Sequence, residues 1–254
     1  MPDTSRSTPA VAAPRPLRLC IIGNSHVACL KLAWDQAGGD ETIQPTFFGA
    51  RGNLMGGIES AGRALVAPAQ RLKVALLATG GADHIDLDAY DVFCAYGMRL
   101  KIPEFAAGYS SAVRRAAVQQ AFEQSTNAVV TRLLATMTTT PILIVADPLL
   151  SSGLRRSQFD DALCAYDDMI PMLEQVCDSV GARFVPQAPA TLDGPIRTAQ
   201  TFAQGSTRLD IGAGIEIHDG DEPAHMNAAY GKLMLADIFA AAKTAHAARS
   251  SVMA

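Results

Sequence analysis

The chain has 254 residues, of which 49% are hydrophobic, enough to bury a substantial core in a single α/β domain. Its 21 basic and 25 acidic residues give a formal net charge of −4, and only 6% of its residues are aromatic, so the composition argues against nucleic-acid binding. The five cysteines are widely spaced and form no C-x-x-C pair, which argues against zinc and redox motifs. We therefore expect buried free thiols, which fit a reducing compartment.

The two ends of the chain have the composition of tails. Residues 1–16 are rich in Pro, Ala, Ser and Thr and have no apolar stretch, so we interpret them as a disordered tail rather than a secretory signal. No later run reaches the ~18 apolar residues of a membrane span. We therefore expect one domain at 17–246, a C-terminal tail at 247–254, and a cytoplasmic protein without a membrane span.

Apolar strands alternate with amphipathic helices along the chain, which predicts an α/β domain with a mostly parallel sheet covered on both faces. In the first half we predict a strand at 17–22, a helix at 27–37, and strands at 44–48, 71–79 and 90–96. In the second half we predict a long helix at 112–137, a strand at 141–146, a helix at 159–180, a strand at 183–185 and a final helix at 227–245. The irregular stretch at 186–220 is long for a compact domain, which is typical of a segment that borders a site.

The first strand ends at Gly23-Asn24-Ser25-His26, directly before a helix. Ligands of open α/β sheets bind at the carboxyl ends of the strands, and a backbone N–H at a helix N-terminus can stabilise a developing oxyanion. Ser25 is therefore a candidate nucleophile, and His26 is a candidate substrate contact beside it. The alternative is that Ser25 only caps the helix and His26 lies in its first turn.

A second candidate segment, Asp221-Glu222-Pro223-Ala224-His225, precedes the final helix. A carboxylate that bonds one ring nitrogen of a histidine fixes its tautomer and leaves the other nitrogen as a base. His225 is therefore a candidate general base, with Glu222 or Asp221 to orient it. The alternative is a solvated acidic loop with a histidine that caps the helix.

Taken together, the two segments resemble a known enzyme superfamily. Gly-Asn-Ser-His resembles block I (Gly-Asp-Ser) of the SGNH, or GDSL-type, hydrolases, and the segment that ends at His225 resembles their last block, Asp-x-x-His. The His-x-Asn-x-x-Tyr-Gly continuation is also similar to members of this superfamily. The resemblance implies a single-domain, flavodoxin-like three-layer α/β/α sandwich. It also implies ester hydrolysis or O-acyl transfer, often on acylated carbohydrates or lipids, without metal or organic cofactor.

The residues of this chain match that pattern with two departures at its ends. The block I Asp is replaced by Asn24, and the spacing of the last block places Glu222, not an Asp, three residues before His225. Asp221 lies one residue off register, so either carboxylate remains a candidate. The resemblance implies that Ser25 is the nucleophile and His225 the base.

The middle blocks match less closely. The second block supplies a Gly whose backbone N–H joins the oxyanion hole, for which we favour Gly52, with Gly49 as the competitor; both glycines are alternatively explained by a tight turn. The third block supplies an Asn, but the third strand is followed by Gly-Met-Arg-Leu, which places Arg99 at that position. Residues 80–83 are an alternative alignment and lack Asn as well, and Asn53 is a candidate substitute.

The missing third-block Asn leaves two functions open. Losing one oxyanion donor costs ~10²–10³ in turnover. The main hypothesis is a serine-dependent esterase or O-acyltransferase that forms an acyl-enzyme from a small-molecule or glycan ester. The alternative is a non-catalytic protein that binds carbohydrate or another ligand on the same scaffold. The remaining histidines have no ligand-spaced partners and no phosphate-binding loop occurs, so we expect neither metal nor cofactor; the oligomeric state is not predicted.

Overall fold

The computed structural model describes residues 15–153, 162–210, 214–217 and 223–253. Within these residues the strands are β1 (Leu17–Gly23), β2 (Ile43–Gly49), β3 (Glu59–Ala61), β4 (Ala64–Val66), β5 (His84–Asp86), β6 (Val92–Tyr96), β7 (Ile142–Val145), β8 (Arg183–Phe184), β9 (Thr207–Asp210) and β10 (Gly214–Ile217). The α-helices are α1 (Val27–Ala37), α2 (Gln70–Gly80), α3 (Ser111–Glu123), α4 (Thr126–Met137), α5 (Tyr166–Asp178) and α6 (Ala228–Met253).

A five-stranded parallel sheet in the order β2-β1-β6-β7-β8 forms the centre of the protein. Among the five strands this is the order 2-1-3-4-5, which is the flavodoxin-like order. The chain moves to one side of β1 for β2 and to the other side for β6, so the switch point lies at the carboxyl end of β1. The predicted α/β sandwich with a mostly parallel sheet is confirmed.

Helices cover both faces of this sheet. Successive β1 residues alternate between two hydrophobic clusters: Leu19 and Ile21 face one, and Cys20 and Ile22 face the other. Helices α1 and α6 pack in the first cluster, and α2 to α5 in the second. Strands buried on both faces need continuous apolar runs, which is why the central strands were recognisable in the sequence.

The segment predicted as a strand at 71–79 is instead helix α2. Leu72, Ala75 and Leu76 are buried, whereas Lys73 and Val74 between them are exposed, which is a helical spacing. A short apolar run does not by itself distinguish a strand from a helix, and here the helix packs against the second hydrophobic cluster.

The single helix predicted at 112–137 is two helices. Ser125 separates them, because its hydroxyl donates to the Phe122 carbonyl oxygen (2.6 Å) and accepts from the Ala128 N–H (3.0 Å). A serine in this role ends one helix and caps the next. Helical spacing continued through the break, so apolar periodicity gave no sign of it.

Three other predicted elements differ in their bounds. The helix predicted at 159–180 is observed as Tyr166–Asp178 and includes Pro171, while residues 159–161 lie outside the described ones. The stretch predicted to be irregular at 186–220 contains the antiparallel pair β9 and β10. The final helix continues to Met253, beyond its predicted end at 245. The remaining predicted strands agree with β1, β2, β6, β7 and β8 to within one or two residues. The short strands β3, β4 and β5, which form a separate antiparallel sheet, were not predicted.

All five cysteines are buried free thiols, as predicted. Burial raises the pKa of the Cys29 thiol to about 12, so it stays protonated at neutral pH. Among the described helices, none combines the length and the apolar character that crossing a membrane requires.

Candidate active site

Ser25 and His225 meet at the carboxyl end of the sheet. The Ser25 Oγ lies 3.0 Å from the His225 Nε2, although the two residues are 200 positions apart. Both side chains are half-buried. In the tautomer with its proton on Nδ1, the His225 ring accepts the Ser25 hydroxyl proton through Nε2, which is the arrangement of a nucleophile with its general base.

Two helices bring these residues together. Helix α1 begins two residues after Ser25, and α6 begins three residues after His225. The helices approach so closely at Gly231 that a Cβ there would lie 2.1 Å from the Cys29 carbonyl oxygen. Gly231 therefore allows the first turns of α1 and α6, and the residues before them, to lie side by side.

The turn that carries Ser25 is held by its neighbours. A Cβ on Gly23 would lie 2.3 Å from Val27 Cγ2 and 2.7 Å from the Tyr96 carbonyl oxygen, so only glycine fits at the end of β1. The Asn24 Oδ1 accepts the His26 N–H (3.2 Å), and the Asn24 carbonyl accepts the Val27 N–H (3.1 Å). Asn24 thus makes the local turn contacts with its side chain, and the Ser25 hydroxyl is directed to His225 instead.

Asp147 is a buried carboxylate that the sequence reasoning missed. It follows β7 and is only 8% exposed. Its Oδ1 accepts from the Asn24 Nδ2 (3.4 Å) and from the Arg99 backbone N–H (3.2 Å). It therefore links the ends of β1, β6 and β7. Its position directly after a short apolar strand is a signal that could have found it, because polar residues there reach the ligand-binding edge of the sheet.

His26 lies between Asp147 and His225. Its Nε2 is 3.7 Å from the Asp147 Oδ1, and its ring centroid is 4.8 Å from that of His225, with 37° between the ring planes. The His26 side chain is 10% exposed. The predicted neighbour of the nucleophile is thus part of the same cluster as Ser25 and His225.

Strand β6, the third strand of the parallel sheet in chain order, is followed by a turn whose backbone has a left-handed conformation. Gly97, Met98 and Arg99 have φ values of 67°, 55° and 65°, and positive φ is uncommon for residues other than glycine. The buried Asn127 holds this turn: its Nδ2 donates to the Gly97 carbonyl (3.1 Å), and its N–H donates to the Met98 carbonyl (3.1 Å). Asn127 was also missed, because its partners are distant in sequence.

Arg99, which the sequence resemblance aligns with the third-block Asn, lies in this turn. Its side chain is exposed, and its backbone N–H is directed to Asp147. A Cβ on Gly97 would lie 2.7 Å from the Asp147 Oδ1 and 3.0 Å from the Asn24 Oδ1. The crowding shows how closely the turn packs against the nucleophile segment.

The two glycines proposed for the oxyanion hole have different surroundings. Gly49 pairs with Gly23 at the end of β2, and its N–H donates to the Thr79 Oγ1 (2.9 Å). Gly52 has a φ of 58° and lies in an exposed turn, with Asn53 next to it. The backbone N–H of Gly49 is therefore already engaged, which favours Gly52 of the two.

Two predicted residues, Asp221 and Glu222, lie outside the described part of the chain. Their assignment as the group that orients His225 stays a prediction.

Two buried tyrosines are also excluded as bases. Burial raises the pKa values of Tyr96 and Tyr230 well above their ordinary range, so neither phenol serves as a base at neutral pH.

No family model matches the chain, and no curated protein matches its sequence. Solved structures similar to it include one described as a platelet activating factor from Streptococcus pneumoniae, with 14% identity, coverage of 92% of this chain and 86% of that one, and a TM-score of 0.45. Another is the periplasmic domain of a lipopolysaccharide acetyltransferase from Salmonella ser. Paratyphi A, with 8% identity, coverage of 89% and 83%, and a TM-score of 0.41. Both likenesses are weak, and neither protein's function transfers to this chain.

Proposed function

We propose that the chain is a serine-dependent acyl hydrolase or O-acyltransferase of the SGNH kind, with Ser25 as nucleophile and His225 as general base. The observation that carries the proposal is the 3.0 Å contact between the Ser25 Oγ and the His225 Nε2. A chance contact between a serine and a histidine is common on protein surfaces. Here it lies at the carboxyl end of β1, where open α/β sheets bind their ligands.

In the first half of the proposed reaction, Ser25 Oγ attacks the carbonyl carbon of an ester. The new Oγ–C bond forms as the carbonyl π electrons move onto oxygen, and the His225 Nε2 takes the hydroxyl proton. The oxyanion then collapses, the bond to the leaving alcohol breaks, and His225 returns the proton to that alcohol. An acyl group remains on Ser25.

In the second half, water or an acceptor hydroxyl attacks the acyl-enzyme and gives its proton to His225. Collapse of the second oxyanion breaks the bond to Ser25 Oγ, which recovers the proton. Hydrolysis and transfer differ only in which hydroxyl attacks. The half-buried position of Ser25 and His225 is compatible with either acceptor.

Backbone N–H groups are proposed to receive the oxyanion. Ser25 lies in the turn that opens α1, where N–H groups without intrahelical partners favour negative charge. Gly52 is the second proposed donor, because the N–H of the competing Gly49 already bonds Thr79. Glu222 or Asp221 is proposed to orient His225, in keeping with the spacing of the last SGNH block.

The test is turnover of p-nitrophenyl acetate by the wild type and by Ser25→Ala and His225→Ala. We expect the wild type to release p-nitrophenol with burst kinetics and both variants to fall by at least about 10³-fold. Ser60→Ala, which removes an exposed hydroxyl from β3, is the matched control and should keep full activity. Equal turnover by wild type and Ser25→Ala would contradict the proposal, and a folded but inactive wild type would favour the ligand-binding alternative.

A further inference from the structure

The ring of His225 has a second neighbour besides the proposed nucleophile. Its Nε2 lies 3.0 Å from the Ser25 Oγ, and its ring packs against the ring of His26, with 4.8 Å between the centroids and 37° between the ring planes. Aromatic rings in contact lie about 4.5–7 Å apart between centroids, so this is a close pair, nearer to stacked than to edge-on. The proposed reaction uses the contact with Ser25 and gives no role to the contact with His26.

The side chain of His26 is confined by its surroundings. The Asn24 Oδ1 accepts the His26 backbone N–H (3.2 Å), and the His26 Nε2 faces the Asp147 Oδ1 at 3.7 Å. The turn after β6 lies against the same ring, because a Cβ on Gly97 would be 3.5 Å from the His26 Cδ2. Only 10% of the side chain is exposed. The ring is therefore a fixed surface against which another ring can be held.

His225 is a residue whose ring needs such a surface. It lies between β10 and α6, outside any strand or helix. The χ2 torsion of a histidine has a broad minimum, so the backbone alone does not fix the plane of the ring. Proton transfer requires the His225 Nε2 to stay within hydrogen-bond reach of the Ser25 Oγ, and a displacement of about 1 Å can lower a rate about 10²-fold. A ring packed against the His225 ring restricts this rotation.

We propose that His26 is a positioning residue, whose ring packs against the His225 ring and keeps the His225 Nε2 directed at Ser25. This inference rests on the proposed acyl-transfer function and deepens it by naming a residue that fixes the general base. The role depends on the flat ring of His26 and not on its nitrogens. It therefore requires neither a contact with the substrate nor a charge on His26.

Two variants separate the ring of His26 from its nitrogens. His26→Phe keeps a flat ring against His225 but has no nitrogen to face Asp147, whereas His26→Gln keeps a polar amide and has no ring. With p-nitrophenyl acetate we expect His26→Phe to keep kcat within about threefold of the wild type. We expect His26→Gln to lower kcat by about 10- to 10²-fold, with KM changed by less than about threefold in both variants.

The melting temperature separates this positioning role from a contribution to stability. His26→Phe removes the polar group that faces Asp147, a carboxylate that is only 8% exposed. Its melting temperature should therefore be no higher than that of His26→Gln, because a buried polar group that loses a partner is destabilising. The proposal thus predicts that the variant of equal or lower stability has the higher kcat. A kcat that follows the melting temperature would overturn it.

His84→Gln is the matched control, since it makes the same substitution at an exposed histidine on β5, in the separate antiparallel sheet. Its kcat and melting temperature should equal those of the wild type. A loss of kcat as large as that of His26→Gln would show that the substitution does not act through His225, and would overturn the role of His26.

The closing experiment combines NMR with turnover. Nuclear Overhauser contacts between the ring protons of residues 26 and 225 are expected in the wild type and in His26→Phe, and their absence from either protein would overturn the ring packing. If the wild type turns over but His26→Phe loses as much kcat as His26→Gln, the role of His26 is overturned and the proposed function stands. If a folded wild type shows the ring contacts but no turnover, the proposed function fails and the positioning role fails with it.

Discussion

The Asn24 Nδ2 lies 3.4 Å from the Asp147 Oδ1, so a carboxamide faces a buried carboxylate directly beside the proposed nucleophile. This contact favours an amide over a carboxylate at position 24. An Asp at position 24 would place two carboxylates against each other, and like charges at that distance raise the pKa of one of them.

Asn24→Asp should therefore destabilise the protein by about 1–3 kcal/mol at pH 7. One carboxyl then has a higher pKa in the folded than in the unfolded state, so the loss is largest at neutral pH and shrinks as the pH falls. The double variant Asn24→Asp with Asp147→Asn restores one amide and one carboxylate, and should recover most of the stability. Chemical denaturation at pH 7 and pH 5 measures both effects; a double variant as unstable as the sum of the two singles would contradict the pairing.

Gly231→Ala should weaken both the fold and the site. Alanine favours a helix over glycine by about 1 kcal/mol, so a gain would be expected from propensity alone. Instead, the Cβ would meet the Cys29 carbonyl oxygen at 2.1 Å and push α6 away from α1. We expect a lower melting temperature and slower reaction of Ser25, because His225 precedes α6. Lys232→Ala, at the exposed neighbouring position, is the control; an unchanged melting temperature for Gly231→Ala would refute the close approach.

Asn127→Ala should destabilise the protein by about 2–4 kcal/mol, since it removes donors from several buried carbonyls and leaves a cavity. The Asn127 Nδ2 donates to the carbonyls of Ala95 and Gly97, at 3.0 and 3.1 Å. Gln120→Ala removes an exposed amide from α3 and should cost little. Urea unfolding compares the two variants, and equal losses would show that Asn127 does not hold the turn after β6.

The sequence predicted those helices and strands whose bounds are set by residues next to one another in the chain. Strand β1 and helix α1 were predicted closely because an apolar run ends at a glycine and the helix is capped at its C-terminus by Gly38, whose φ is 74°. Helix α2 was assigned wrongly because its short apolar run, Val74 to Ala78, fits either period. The break at Ser125 was missed because helical spacing continues on both sides of it.

The sequence predicted the site residues near the two ends of the chain, but not those in its middle. Ser25 and His225 stand in short motifs beside element boundaries. Asp147 and Asn127 act through partners that are distant in the sequence. The position of Asp147 after an apolar strand marks a polar residue at the edge of the sheet but does not identify those partners. The structure alone shows which strand ends they join.

Asp91 should contribute stability that depends on pH. Hydrogen bonds from Arg15 and Arg18 hold the pKa of its carboxyl well below the usual range. A depressed folded pKa means that the stabilisation is present above about pH 4, the unfolded value, and is lost as the pH falls through the folded one. Asp91→Asn should cost about 1–3 kcal/mol at pH 7 and progressively less below pH ~4.

Denaturation as a function of pH tests this, with Asp35→Asn as the control. Asp35 is an exposed partner of Lys31 on α1, and such surface pairs contribute less than about 1 kcal/mol. A pH-independent difference between wild type and Asp91→Asn would show that the loss comes from packing and not from the charge.

The most direct test of the account is labelling with a fluorophosphonate probe, followed by identification of the modified peptide. The probe reacts with a serine only when a neighbouring base activates it, so the Ser25–His225 contact predicts modification of Ser25 in the wild type. Labelling should be absent in Ser25→Ala and at least about 10²-fold slower in His225→Ala. Unmodified Ser25 in a folded wild type, or equal labelling of wild type and His225→Ala, would contradict the central claim.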